Sequence, residues 1–252
     1  MLLAWTGALL VGLSLGLLGS GGSILTVPIL IYLVGESEKE AIAESLGIVG
    51  AISLAGLVPY ALKKQIHWQS AIVFGLPGMG GTYLGAIIAA YVSGTFQLIL
   101  FAIVMVTAAV LMLIEKKPDT LAPPKPNIQP WWLLASEGLA VGVLTGLVGV
   151  GGGFLIVPAL VLLAGLPIHV AIGTSLTIIA MKSLTGFIKY IDVLDTLELS
   201  VNWNLVLIFS LIGAAGSFLG KAMGSKISGI KLKKVFAVFL LLMGGFILFM
   251  NF

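Results

Sequence analysis

The 252-residue chain contains no cysteine. That excludes disulfides, thiolate metal sites and cysteine nucleophiles together. Charge is also scarce: 9% of the residues are Asp, Glu, Lys or Arg, against about 25% in a soluble domain. With 59% hydrophobic residues, this is the composition of an integral membrane protein, and partition into a lipid bilayer follows. The net charge of +3 carries no nucleic-acid reading, because its basic residues are thin and scattered between apolar segments. No set of polar residues forms a catalytic constellation, so no enzyme is read here, and no cofactor or metal is called for. Gly149–Gly153 lacks the Gly-Lys-Ser/Thr ending of a phosphate loop. The N-terminus has no basic n-region and its apolar run continues into a motif, which reads as no cleavable signal peptide.

What the chain has in excess is glycine, 33 residues, and two clusters of it belong to a repeat. The run 11–30, VGLSLGLLGSGGSILTVPIL, returns 130 residues later as VGVLTGLVGVGGGFLIVPAL, with 11 of 20 positions identical. Each copy places a cluster (Gly19, Gly21, Gly22 with Ser23; Gly149, Gly151, Gly152, Gly153) between two apolar segments. Three glycines in five residues do not continue a helix well. Broken helices at corresponding places in two halves are the best sequence pointer to a transporter's binding site. Each following helix would start with unpaired amides and a positive dipole end, near Ile24 and Phe154, which suits an anion.

Apolar segments run over 2–18, 24–34, 41–62, 69–92 and 96–114, then 131–148, 154–164, 170–191, 203–223 and 232–250. The Pro-rich stretch 115–130 separates the halves, so the organisation expected is a first transmembrane repeat over 1–114, a cytoplasmic linker over 115–130 and a second repeat over 131–252. Ala41-x-x-Glu44-Ser45-Leu46 aligns with Ala171-x-x-Thr174-Ser175-Leu176, and after a five-residue insertion Trp68 aligns with Trp203. Gly78, Gly81 and Gly85 then align with Gly213, Gly216 and Gly220, helix-packing stripes by their spacing. Gly12-x-x-x-Gly16 and Gly142-x-x-x-Gly146 read the same way, and Gly12→Ala is expected to be mild beside a valine at Gly21 or Gly151.

Charge relates the halves. The loop after the Glu44 segment is basic (Lys63, Lys64), whereas its counterpart carries Asp192, Asp195 and Glu198. Basic residues collect on the cytoplasmic side, so equivalent loops lie on opposite faces. The fold expected is an all-α polytopic membrane protein of two inverted repeats, each a Gly-broken re-entrant or short helix pair followed by three transmembrane helices, with both termini outside.

Five more positions are candidates for binding. Glu44-Ser45 and Thr174-Ser175 are either N-caps of their helices or additional groups lining the same cavity. Lys182 lies deep in an apolar segment where its counterpart is Ile52. It is either a countercharge, for a bound anion or for Glu44, or a snorkelling lysine.

The doubled pattern G-x-x-x-G-x-x-G-x-G-G-[GS]-x-x-x-V-P-x-L, each followed by A-x-[AG]-[ET]-S-L, resembles the TauE/SafE family over essentially the whole chain. The resemblance implies a secondary transporter of the cell (inner) membrane that exports a small sulfur-containing anion, sulfite or an organosulfonate such as sulfoacetate. An anion channel, an accessory subunit of a sulfur pathway, and uptake of a small carboxylate are the other readings. Assembly into a homo-oligomer is compatible with the sequence. Ser23 and Glu44 depart from the repeat, so the two half-sites are chemically unequal.

Overall fold

A computed structural model describes residues 2–19, 22–114, 130–149, 151, 153–162, 164–224 and 229–251. The linker 115–129, Gly21 and Gly152 therefore lie outside the described residues. All the regular structure in that set is helical: α1 (Leu2–Leu18), α2 (Gly22–Ile29), a π-helical turn (Leu30–Val34), α3 (Glu38–Leu62), α4 (Trp68–Ala90), α5 (Gly94–Ile114), α6 (Trp131–Val148), α7 (Gly153–Leu162), α8 (Ile168–Thr196), α9 (Trp203–Gly224) and α10 (Gly229–Asn251). Five of them, α3, α4, α6, α8 and α9, are long and apolar enough to cross a bilayer.

The first break is a helical hairpin. A side chain on Gly22 would run into the Val11 carbonyl and Leu15, and one on Gly7 would sit 3.0 Å from Ile29, so α2 returns along α1. The 8 residues of α2 and 5 of the π turn rise only about 20 Å at ~1.5 Å each, short of the ~30 Å hydrocarbon core. Pro28 accounts for the irregular ending, since it has no N–H to donate. The Gly35 and Glu36 amides both reach Leu30 O, at 3.0 and 3.1 Å. Helix α3 then starts on Ser37 as N-cap: Glu40 N donates to Ser37 Oγ, and Ser37 Oγ donates to Glu40 Oε2 at 2.6 Å.

Helix α8 begins at Ile168 after Pro167. Residues 44–45 and 174–175 therefore sit inside α3 and α8, and the N-cap reading of these pairs is corrected: Ser37 and Pro167 start the two helices one to two turns earlier.

Partners are exchanged between the halves. The most extensive interfaces are α4 with α6 and α1 with α9, followed by α3 with α8, then α5 with α10 and α4 with α8. Every such pair has its counterpart under the exchange of α1–α5 for α6–α10. Direction follows from which residues meet. Gly47, Gly50 and Gly56 of α3 face Phe187, Leu184 and Leu176 of α8, so these two helices run antiparallel. Gly12 and Gly16 of α1 face Gly213 and Ser217 of α9, and Gly138, Gly142 and Gly146 of α6 face Phe74, Gly78 and Thr82 of α4; both pairs run parallel.

The parallel seams have backbone against backbone. A methyl on Gly12 would overlap the carbonyl of Gly213, and one on Gly146 would overlap that of Thr82. Gly12→Ala thus has no room, contrary to the mild effect expected from spacing alone, because the opposing surface is main chain that has no rotamer to change.

The buried side chains divide accordingly. One core cluster joins α1, α2, α3 and α9 (Ala8, Val11, Leu15, Leu25, Ile48, Phe209), with Ile172 and Leu176 of α8. Another joins α4, α6, α7 and α8 (Phe74, Leu134, Ile156, Ile178), with Val49 of α3. The molecule thus has two bodies, each holding one hairpin and a helix from the other half, in contact along α3 and α8. A third cluster gathers around α5 and α10.

Candidate functional site

Both breaks begin at an αL glycine. Gly19 has φ +68° and Gly149 φ +73°, a conformation costly for residues with a Cβ. Their amides close the ends of α1 and α6 on Leu15 O (2.8 Å) and Thr145 O (2.9 Å). Their carbonyls are held from the other body. Ser45 Oγ on α3 lies 2.6 Å from Gly149 O, and Ser175 Oγ on α8 lies 2.8 Å from Gly19 O. Each hydroxyl is also 2.9 Å from the carbonyl three residues back in its own helix, Ile42 O or Ile172 O. A serine has one proton, and these carbonyls claim it. Ser45 and Ser175 are therefore placed as clips between body and break.

Positions 44 and 174 do matched work as well. Glu44 Oε1 accepts from the amide of Asn202 at 2.8 Å, and Thr174 Oγ1 accepts from the amide of His67 at 2.9 Å. Asn202 and His67 are the residues preceding Trp203 and Trp68, where α9 and α4 start. The two tryptophans are equally exposed, 59% each, as interfacial anchors would be.

Beyond the clips lies a pair of hydroxyls that the sequence reading missed. Ser53 on α3 and Ser183 on α8 occupy the same place in the repeat, are both fully buried, and have no hydrogen-bond partner at Oγ. Hydroxyls inside helices ordinarily donate to the carbonyl one turn back, as Thr82, Thr145, Thr177 and Thr185 do in this chain. A buried polar atom without a partner calls for an explanation. A Cβ on Gly151, at the second break, would lie 3.2 Å from Ser183 Oγ, 3.0 Å from Ile179 and 3.1 Å from Val49. Val49 and Ile179 occupy the same place in the repeat, so Gly151 is flanked by the matching position of each half. Of the other predicted glycines, Gly22 (with Ser23) and Gly153 are buried at the starts of α2 and α7.

Lys182 precedes Ser183. It is fully buried, its Nζ lies 3.2 Å from Thr145 Oγ1, and the Phe74 ring centroid is 5.9 Å away. Thr145 sends its own proton to Val141 O at 2.7 Å, leaving its oxygen to accept from the ammonium. Among the described residues the one ion pair is Lys189–Asp192. Lys182 is therefore not paired with Glu44, and being fully buried it does not snorkel. Its methylenes pack on Gly78 as Ile52 packs on Gly213, so the same slot in each half holds an apolar chain in one and an apolar chain ending in a charge in the other. A cavity of about 260 Å³, lined by Phe74, Glu137, Ala140, Val141 and Ala159, adjoins this slot through Phe74. Glu137, also missed in the sequence, has its Oε2 buried there without a partner.

The described residues thus offer two αL breaks, two unpartnered buried hydroxyls and a buried lysine without a carboxylate partner. The comparisons with known proteins decide the family. The model described as "Sulfite exporter TauE/SafE" matches residues 4–247. The chain belongs to the TauE/SafE family. TauE/SafE proteins are sulfite exporter-like membrane transporters, and the five candidate spans agree with a multi-pass membrane protein. It is 35% identical over 236 residues to a probable membrane transporter protein of Xylella fastidiosa, covering 91% of this chain and 87% of that one. It is 27% identical to the probable membrane transporter protein YunE of Bacillus subtilis, covering 84% and 82%. It is 28% identical to one of Methanocaldococcus jannaschii, covering 73% and 71%. No solved structure matches significantly.

Proposed function

We propose that this TauE/SafE protein is a secondary transporter of the cell membrane that exports a small sulfur-containing anion, sulfite or an organosulfonate such as sulfoacetate, by alternating access. The observation that carries the reading is Lys182, a fully buried basic group without a carboxylate partner whose charge a bound anion would hold, followed by the unpartnered buried hydroxyl of Ser183, which faces Gly151 at the second break. Intramembrane charges of this kind mark substrate pathways. An anion with several acceptor oxygens supplies what Ser53, Ser183 and Lys182 lack. The glycines of both clusters and the clips at Ser45 and Ser175 shape the site around it.

The membrane topology proposed is two inverted repeats, 1–114 and 131–252, joined by a cytoplasmic linker. Helix directions support it: α3 and α8 are antiparallel counterparts, while α1 runs with α9 and α6 with α4. Charge supports the orientation. Glu36 and Glu44 meet Asn202, near the loop of Asp195 and Glu198, at one end. Lys221 lies 3.7 Å over the Tyr60 ring, near Lys63, at the other, which is then the cytoplasmic end. Single cysteines at Ser93 and Asp195 should label from outside and those at Asp119 and Ser228 should not. Equal access at 195 and 119 overturns the topology.

Function is tested by flux from proteoliposomes offered sulfite, sulfoacetate, thiosulfate, sulfate and small carboxylates. Saturable exchange of a sulfur anion is expected. Non-saturating flux without exchange makes the protein a channel, and flux of carboxylates alone removes the sulfur assignment.

A further inference from the structure

Glu44 and Thr174 do the same structural work, accepting the amide that precedes a helix start, yet only one of them can carry charge. The Thr174 hydroxyl performs it as a neutral group. The carboxyl is therefore not needed for the hydrogen bond, and the repeat supplies its own control for what else the acid does.

Its surroundings are unusual for a carboxylate. Glu44 is fully buried, in the second turn of α3; one oxygen holds the Asn202 amide and the other, Oε2, has no partner. The charged groups nearest to it are acidic, Glu36 and Glu40. Glu36 Oε1 accepts from the Asn202 side chain at 3.3 Å, and Glu40 is engaged with Ser37. The one lysine of that patch, Lys39, turns away to the carbonyls of Ala89 and Val92. From α8, Lys182 is held at Thr145, Lys189 pairs with Asp192, and Tyr190 bonds Gln97; from α9, Lys221 lies on Tyr60. The sequences of α1, α2 and α5 contain no charged residue, and the π turn offers only Tyr32, stacked edge-on against Phe246. A buried carboxylate with no cation, near two others, is strongly disfavoured.

We propose that Glu44 is a proton-binding site, and that the proton it holds is the one exchanged during transport. With the proton on Oε2 the buried carboxyl is neutral while Oε1 keeps its bond to Asn202. Releasing it sends the proton to water and leaves a carboxylate, which requires water to reach this turn of α3. The next residue, Ser45, is the clip on Gly149 of the other body, so separation of the bodies at this clip is the step that wets Glu44. The assignment of its proton to transport rests on the proposed anion-carrying function; the protonation itself does not.

Two readings on the full-length protein test it separately. The first is the infrared carbonyl stretch of protonated carboxyl groups at neutral pH, in protein reconstituted in lipid. Glu44→Thr installs the residue of its own counterpart, and Glu44→Gln keeps the shape and the acceptor should the threonine variant fold poorly. Both should lose a band present in the unsubstituted protein. An unchanged spectrum overturns the proton site. The second is a pH dye inside proteoliposomes during a sulfite gradient. Sulfite-driven pH change is expected in the unsubstituted protein and should fall to that of protein-free vesicles in both variants. Sulfite flux with no pH change, or undiminished pH change in the variants, overturns the coupling. If no anion moves at all, the transport reading fails and the infrared band still decides whether Glu44 holds a proton.

Discussion

Oxidising a cysteine pair at Gly50 and Leu184 should stop transport completely, while a pair at Thr82 and Gly186 should leave it close to the unsubstituted rate. Both are short enough to bridge: a Cβ on Gly50 lies 3.1 Å from Leu184 Cγ, and one on Gly186 lies 2.8 Å from Thr82 Cγ2. The first pair ties α3 to α8, the contact between the two bodies. The second ties α4 to α8 inside one body. Both pairs, however, join sequence halves, 1–114 to 131–252. If the halves of the sequence rocked against each other, both bridges would block. The structure argues against that motion, because it would shear the seams of α1 on α9 and of α4 on α6, where main chain lies on main chain. Close-packed interfaces switch between discrete arrangements and do not deform smoothly, and at the glycines of these two seams the opposing surface is main chain, which has no rotamer to absorb a slide. Motion along α3 and α8 disturbs fewer such contacts; it requires the two serine clips to release, together with the bonds of Lys39 to the carbonyls of Ala89 and Val92. The chain has no cysteine, so flux before and after reductant measures the bridge alone. Block by the Thr82–Gly186 pair, or full activity with Gly50–Leu184 oxidised, would show that the moving bodies are drawn wrongly.

This exchange of helices marks a boundary of what the sequence discloses. Order along the chain is visible, and the repeat, the Gly breaks, the tryptophan starts and the packing stripes are read from it directly, since each depends on residue type at fixed spacing. Which stripe meets which is not visible. Gly12 and Gly213 are each plain small-residue positions until α1 is seen lying on α9, and only then does a single methyl become too large. The hydroxyls show the same limit. Ser45 and Ser175 stand beside a recognisable motif and attracted the binding role, although their protons go to Gly149 O and Ile42 O, Gly19 O and Ile172 O. Ser53 and Ser183 stand in unremarkable apolar runs. Their one signal is a polar residue at the same offset in both copies, and it becomes meaningful when neither is found bonded to its own helix.

Lys182→Ile should weaken anion binding by at least roughly 10- to 100-fold while leaving the protein folded. The substitution borrows the residue that fills the equivalent slot in the first half, where Ile52 packs on Gly213 as the lysine methylenes pack on Gly78. Packing is therefore provided for, and what is removed is the charge and its bond to Thr145. Hydrogen bonds to charged groups contribute about 1.5–3 kcal/mol, so the loss of this one contact alone weakens binding by roughly 10- to 100-fold. Ser183→Ala should weaken it by about tenfold on the same scale, and adding Ser53→Ala should compound the loss if the two hydroxyls hold different oxygens of one anion. Gly151→Ala gives an independent check, because its methyl would stand 3.2 Å from Ser183 Oγ and cover that hydroxyl without deleting it. Calorimetric titration of each detergent-purified variant with sulfite and sulfoacetate, alongside its melting temperature, separates lost affinity from lost fold. Binding by Lys182→Ile at the unsubstituted affinity would make the lysine a packing residue. Binding by the double serine variant as well would place the anion elsewhere, with the cavity at Glu137 and Phe74 the next place to look.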